Sequence, residues 1–564
     1  MALAQSVPSG AAPAGTDAGA WVQLADVEAQ RGNIDGAIEA LEKATLAAPG
    51  TASLYARLSQ AYATAGYAEA ALHAIDGALA LQPGQADYLR ARATLATWVG
   101  DYRAAQDSYR RLQATHPGDL DIALGLARVS TWAGDTDQAV KQYKRYLAGN
   151  GSNVAVWLEL AKAESWRGNA AAAIKAIDTY KARGGDTDRY LAETAAVLAS
   201  AGRPNKADDL ASSLLAQSPA DYELNFTRAM ALAGQERTKD ALASLDTLRQ
   251  LGPDRPETRT AERVLRTLLS SSAESPVTIY GDSDDLAVQR FTPRAVVALS
   301  SGTQFSAGYE RSRLEARAHS GLEGIDGETQ SRYDHVWTGA AQRLGPIAIN
   351  GQVGYATSGG HSTTTYGVGI AARPSDSIRF TMSRLSAPLV VSPRTLGLGI
   401  VAVVNRAQAD WTPTLGTHVV FDGSYQQLSD GNRRWEVTFS PRQTVARVAG
   451  FNLDLGASVY RLTTSYDFDH GYYDPRRYEY YAATIYPYLK VRENVGVGIT
   501  AALGVQRDNT SPSFHFGGNV GAEATFGIYQ PWVVKLNGSA TLNGRLDSGA
   551  FHGFGAGAAL VRRF

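Results

Sequence analysis

The sequence predicts a multidomain α + β protein, an N-terminal α-solenoid followed by a C-terminal transmembrane antiparallel β-barrel of about 16 strands. Three observations predict it. Glycines recur every 34 residues, at Gly32, Gly66, Gly100, Gly134, Gly168 and Gly202. Alanines follow five positions after each, at Ala37, Ala71, Ala105, Ala139, Ala173 and Ala207, with Ala241 in phase. The periodicity stops near residue 270, and the rest of the chain alternates apolar with polar or glycine positions up to a terminal Phe564.

A period of 34 residues with small residues at fixed phase is the signature of tetratricopeptide repeats (TPR), each a pair of antiparallel helices. In the first repeat Trp21, Leu24 and Ala25 open the first helix, Gly32 closes it, Ala37, Leu41 and Ala44 follow on the second, and Pro49 ends the unit. The second repeat copies this with Tyr55, Leu58, Tyr62, Gly66, Ala71, Ala78 and Pro83. Pro117 holds the same place in the third, and later repeats lose the proline. Small residues let neighbouring helices approach, glycine permits the turn, and proline stops the second helix from continuing. Six or seven repeats over residues 17–270 stack their apolar faces on one another. Trp98, Trp132 and Trp166 also stand 34 apart, each two residues before the turn glycine. In such repeats that position lines the concave surface, where a row of indoles would stack on sugar rings. The alternative is packing between repeats, which still leaves a groove for protein partners.

Composition changes across the boundary. Of 14 phenylalanines, 13 lie after residue 276, whereas only Lys490 and Lys535 of the 10 lysines do. The polar stretch ending in Pro276 reads as a linker over 271–276, and the barrel is expected over 277–564. One strand sets Val495, Val497, Ile499, Ala501, Leu503 and Val505 against Gly496, Gly498, Thr500, Ala502 and Gly504. A second sets Phe514, Phe516, Val520, Ala522, Ala524 and Phe526 against His515, Asn519, Glu523 and Thr525. A third sets Val534, Leu536, Ala540 and Leu542 against Lys535, Asn537, Ser539, Thr541, Asn543 and Arg545. Apolar against polar or glycine at period two is what a lipid-facing exterior and a wet lumen demand. The last strand places Phe554, Ala556, Ala558, Leu560 and Phe564 on one face, a terminus familiar from bacterial outer-membrane barrels, with Arg562 breaking the row. Sixteen strands would leave an aqueous channel rather than a filled interior.

Bulk properties exclude other classes. With 564 residues the chain needs more than one core. A net charge of −1 argues against phosphate-neutralising nucleic-acid binding. The absence of cysteine removes disulfides and thiolate sites and suits an exported protein. No run of 18 apolar residues exists for a membrane-crossing helix. The start, Met1-Ala2-Leu3-Ala4-Gln5, reads as the end of a secretory signal without its basic and apolar regions, so residues 1–16 are expected to be a signal remnant or disordered.

Tetratricopeptide repeats leading into a C-terminal outer-membrane barrel resemble the exopolysaccharide outer-membrane export porins, of the cellulose-synthase and poly-N-acetylglucosamine porin type. Inside the barrel, Gly471-Tyr472-Tyr473-Asp474-Pro475-Arg476-Arg477-Tyr478 is similar to the cellulose-export segment Gly-Tyr-Phe-Ser-Pro-x-x-Tyr, with Tyr473 for Phe and Asp474 for Ser. The array is shorter than in a cellulose exporter, which leaves the wider polysaccharide class. The resemblance implies an outer-membrane barrel with a periplasmic repeat domain. It also implies a passive role: the repeats guide the exopolysaccharide and dock an inner-membrane synthase complex or a periplasmic modifying enzyme, and the barrel conducts the polymer. Lumen candidates on the polar faces are Asn452, Asp454, Asn519, Glu523, Lys535, Asn537, Asn543 and Arg545, a set any wet pore would also carry. The segment Tyr472, Tyr473, Asp474, Arg476, Arg477, Tyr478 reads either as a loop over the pore that stacks on sugar and donates hydrogen bonds, or as an aromatic girdle and turn.

No HExxH, P-loop or GxSxG element stands in a fitting context, the histidines are scattered, and no cofactor or metal is expected. Asp282, Asp284 and Asp285 form either a cation contact or a solvated acidic turn. Two other functions compete with export: an outer-membrane-anchored scaffold or receptor without transport, and a barrel hydrolase, against which no recognisable Ser/His constellation stands. The expectation is a non-enzyme.

Overall fold

The computed structural model describes residues 17–299, 302–509, 513–543 and 551–564. The chain forms two compact units, one ending at Trp166 and one running from Arg167 to Phe564.

In the first unit, antiparallel hairpins run from Ala18–Gln30 and Ile34–Ala47 through Leu120–Trp132 and Thr136–Gly149 to the single helix Val154–Trp166. The glycine at each hairpin turn takes φ between +74° and +87°, the left-handed geometry that closes a helix end without a Cβ penalty. In the seventh repeat Glu236 takes that place at φ +59°. The residue after the glycine caps the next helix where its chemistry allows: Asn33, Asp101, Asp135 and Asn169 each accept a backbone N–H. The phased alanines Ala37, Ala71, Ala105, Ala139, Ala173, Ala207 and Ala241 are all 3% exposed or less, so the small side chain is what lets the helices close up.

The second unit holds the remaining helices, Ala170–Ala182 to Pro256–Leu269, and the barrel. Strand segments from Ser272–Asp282 to Phe551–Arg563 pair antiparallel in sequence order. Leu286–Phe291 and Arg294–Ala298 are halves of one wall strand, broken at Pro293, since both pair with Ser272–Asp282 and with Thr303–Ala316. The first strand pairs with the last from Ser272↔Arg563 to Asp282↔Gly553, which closes a 16-strand barrel. Alternation follows the sequence: on Val495–Asp508, Ile499, Leu503 and Val505 are exposed outward, while Gly496, Gly498, Ala502 and Gln506 are covered on the inner face. Arg562, which interrupts the last apolar row, lays its guanidinium 4.8 Å from the Trp532 ring and 5.7 Å from the Phe564 ring, so the charge rests on aromatic faces.

The stretch expected as a linker, 271–276, is mostly wall: Ser272 to Pro276 pair with Arg563 to Ala559. Its polarity belongs to the inner face, where Glu274 accepts from Arg294 at 2.8 Å and stands 3.6 Å from Lys535.

Long connections 317–329, 389–400 and 465–477 lie at one end of the barrel. Short turns such as 345–346, 376–377 and 449–450, with the chain's end, lie at the other, and the helices of this unit fasten there. Asp376 caps the helix Pro204–Leu215 from outside, accepting the Asn205 and Lys206 N–H groups at 2.9 Å each. Arg203, at the N-cap, reaches back to the Asp376 carbonyl at 2.8 Å and to those of Thr412 and Thr414. Barrel arginines complete the seam on carbonyls left over at helix ends: Arg373 donates to Gly202 at 2.9 Å and Gly234 at 3.2 Å, Arg447 to Gly168 at 2.9 Å, and Arg343 pairs with Glu236. Asp376→Ala should lower the stability of the Pro204–Leu215 helix by about 1 kcal/mol. Hydrogen exchange at the Asn205 and Lys206 amides checks this: it should speed up while the barrel amides keep their protection.

Candidate functional site

The inner face of the barrel is polar along most strands but apolar near the long-loop end, and that apolar patch seats two loops. Leu314, Tyr333 and Ala356 on the wall pack with Leu396, and Ala402 and Leu428 pack with Ile400 and Tyr472. Leu396 and Ile400 belong to connection 389–400, which carries the short helix Pro393–Gly397, and Tyr472 to connection 465–477. Both connections therefore fold into the barrel mouth.

Their polar groups are pinned in the same way. Ser392 is buried, caps Pro393–Gly397 and donates to the Gly471 carbonyl at 2.6 Å. Gly471 sits at φ +80°, and a Cβ there would meet Arg394 and Ser392 side-chain atoms at 2.6 Å, so only glycine fits. Arg394 donates to the Asp469 carbonyl at 2.7 Å. Asn432, 1% exposed, directs its amide at the Tyr466 carbonyl, the Tyr472 hydroxyl and the Asp474 carboxylate at 3.0, 3.0 and 3.2 Å. Tyr472 in turn donates to Asp430 at 2.8 Å, which also lies 2.9 Å from His470 Nδ1. Burial would raise the Asp430 carboxyl, but the contacts from His470, the Asn432 backbone N–H and Tyr472 outweigh it and hold the group below its ordinary value. At Asp474 burial wins and pushes the carboxyl up, and burial likewise raises the Tyr472 phenol.

Beside the loops an open cavity of about 1080 Å³ remains. Gly471 to Pro475 form one side, and wall residues Tyr280, Asp282, Arg290, Arg434, Tyr460, Tyr478 and His515 the other. Several charges along the inner face are paired: Arg290 with Glu310 at 3.1 Å, Arg406 with Asp422 at 2.8 Å, Arg442 with Asp454 at 3.8 Å, and Arg434 with Glu436. Such a wall keeps hydrogen-bonding capacity while carrying little net field.

The residues singled out from the sequence separate into groups. Asn452, Asp454, Asn519, Glu523, Lys535, Asn537 and Asn543 stand at strand positions opposite the exposed apolar ones. Asn452 and Asp454 are tied together at 2.9 Å, and Arg447 donates to Asn452 at 2.9 Å, whereas Asn519, Glu523, Lys535 and Asn537 are exposed. Arg545 lies outside the described residues. In the 472–478 segment Tyr472 and Asp474 are buried and hold the loop through Asn432 and Asp430. Tyr473 is exposed, donates to Asp508 at 2.8 Å and meets Tyr478 edge-on at 6.0 Å. Arg477 is engaged with Glu479 at 2.7 Å, and Arg476 is exposed. Asp282 accepts the Asp284 and Leu286 N–H groups at 3.0 and 3.1 Å, as an acidic turn does. Trp98, Trp132 and Trp166 end their helices 63, 53 and 63% exposed, and Trp132 lies 6.1 Å from the Tyr102 ring. Sequence reasoning missed Asn432 and Asp430, whose Ser-Asp-Gly-Asn context reads only as a turn.

Family profiles of the tetratricopeptide repeat match residues 22–86, 99–148 and 133–196, so the hairpins are tetratricopeptide repeats. No curated protein matches the chain. Among solved structures the chain is similar to a bacterial polysaccharide outer membrane secretin, with 12% identity and TM-score 0.45 over 52% of this chain and 99% of that one. It is similar to a tetratricopeptide repeat protein from Parabacteroides merdae, with 17% identity and TM-score 0.35 over 44% and 98%. It is also similar to PilW, a type IV pilus biogenesis factor, with 19% identity and TM-score 0.28 over 37% and 96%.

Asn432→Ala should release connection 465–477 from the wall. Limited proteolysis checks this: cleavage within 465–477 should speed up at least tenfold while the barrel strands stay protected.

Proposed function

We propose that the chain is an outer-membrane channel that exports an exopolysaccharide, cellulose-like or poly-N-acetylglucosamine-like. The observation that carries this reading is the closed 16-strand ladder around a polar interior that still holds an open cavity of about 1080 Å³ beside its inward loops. The outward faces are apolar, as lipid requires, and every wall strand has two partners. The tetratricopeptide repeats sit in the periplasm, guide the polymer and dock the synthase complex or a modifying enzyme.

Transport in this reading is passive. Tyr280, Tyr460, Tyr473 and Tyr478 offer ring faces to sugar C–H surfaces, and Asn519, Glu523, Lys535 and Asn537 offer hydrogen bonds of both polarities. Each contact is weak and replaceable, so a chain slides from one to the next. Paired inner charges favour a polymer of low charge over a polyanion. The exposed indoles Trp98, Trp132 and Trp166 give the repeats a matching aromatic surface.

In planar bilayers the purified protein should carry a steady ionic current that cello- or chito-oligosaccharides partly block, and polyuronates should block less. An inserted but silent barrel would favour the anchored scaffold instead. Replacing Trp98, Trp132 and Trp166 together by alanine should weaken oligosaccharide binding to the repeats at least tenfold, read by titration calorimetry. Unchanged binding by a folded variant removes the indoles from the mechanism.

A further inference from the structure

The outer wall of the barrel carries an arginine, Arg384, at the head of an apolar depression. On one cross-strand row, Val368 pairs with Arg384, Arg384 with Asn405, Asn405 with Tyr425, and Tyr425 with Trp435. The next row holds Ile370, Met382, Ala407, Gly423 and Val437 in the same order. Val368, Met382, Trp435 and Val437 are exposed on the outer face. Because Ala407 and Gly423 have almost no side chain, the surface dips between Met382 and Val437 and leaves a trough of about 660 Å³. Tyr425 and Trp435, tilted against each other with centroids 4.3 Å apart, wall one side.

Arg384 stands at the head of this trough, four residues before the strand ends at Pro388, on the long-loop side. Several outward arginines meet carboxylates, since Arg311 and Arg332 share Asp334 and Arg461 and Arg507 share Glu479, whereas Arg562 rests on aromatic rings and Arg313 donates to Gln330. Among the described residues no carboxylate pairs with Arg384, which donates to the Asn405 side-chain oxygen at 2.9 Å and has further N–H groups to offer a ligand. A guanidinium on a lipid-facing wall calls for an anion, and its fork geometry suits a phosphate.

We propose that this trough binds one membrane lipid with an anionic phosphate head, its acyl chain lying over Ala407 and Gly423 and its phosphate held by Arg384 and Asn405. The proposal rests on the reading of the barrel as membrane-spanning. Charge complementarity selects the occupant: a second protein would have to bring an acidic group into hydrocarbon, whereas a bilayer supplies phosphate at the head of an acyl chain.

Native mass spectrometry of the full chain, after delipidation and addition of phosphatidylglycerol, phosphatidylcholine or inorganic phosphate, tests it. One phosphatidylglycerol should be retained at least tenfold more than phosphatidylcholine, and inorganic phosphate alone should not bind. Arg384→Gln should abolish the preference. Gly423→Leu should lower retention of both lipids, since a Cβ there meets only the Glu436 carbonyl at 3.7 Å and the larger side chain fills the trough without disturbing the fold. Equal retention by parent and Arg384→Gln, or binding of phosphate alone, overturns the lipid site. Insertion into vesicles is measured in parallel: a barrel that inserts without the lipid preference defeats this inference alone, and one that fails to insert defeats the membrane reading beneath it.

Discussion

Closure of the hydrogen-bond ladder is the constraint on which the rest of the structure depends. Pairing of Ser272–Asp282 with Phe551–Arg563 leaves no open edge on any wall strand among the described residues. Backbone satisfaction is thereby internal, and side chains are free to be apolar outside and polar within. It also explains why the segment before Pro276 is polar without being a hinge: Glu274 must stand inside, against Arg294 and Lys535. Sixteen strands around that closure set a lumen wide enough to hold two folded loops and still leave an open cavity beside them.

The two ends of the barrel are built for different tasks. At the short-turn end, backbone carbonyls and N–H groups of the last repeats are completed by the barrel, with Asp376 as helix cap and Arg373 and Arg447 on turn carbonyls. These contacts complete groups that a helix end leaves open, so the seam is specific without a large apolar interface. At the long-loop end, Asn432, Tyr472 and Asp430 form a buried relay that holds connection 465–477 against the wall. Buried groups of this kind are worth keeping only when each has its partner, which is why the loop is fixed at its base while Tyr473 and Arg476 stay exposed.

Much of this is legible in the sequence because it repeats. A glycine every 34 residues and an alanine five later are local constraints copied from hairpin to hairpin, and even Glu236 keeps the left-handed turn in the seventh. Period-two alternation likewise exposes the wall strands and their number. What stays hidden is long-range and singular. Asp376 caps a helix 171 residues away, and Tyr472 meets Asp430 at a separation of 42, so neither leaves a periodic trace. The Tyr-Tyr-Asp segment reads as a loop feature but not as a buried one, because composition does not reveal that a phenol has an internal acceptor. Polar residues before Pro276 signal a hinge and a lumen face equally well. The trough beneath Arg384 depends on small residues of two neighbouring strands, Ala407 and Gly423, that only register brings side by side.

A barrel that spans a bilayer around a water-filled interior, narrowed but not sealed by its inward loops, makes vesicles permeable to small sugars. Osmotic swelling of proteoliposomes tests it most directly, with insertion verified by protease protection. The vesicles should swell in small sugars at a rate that rises with protein density and falls with solute size. Vesicles that carry the inserted protein and stay impermeable to the smallest sugar would contradict it.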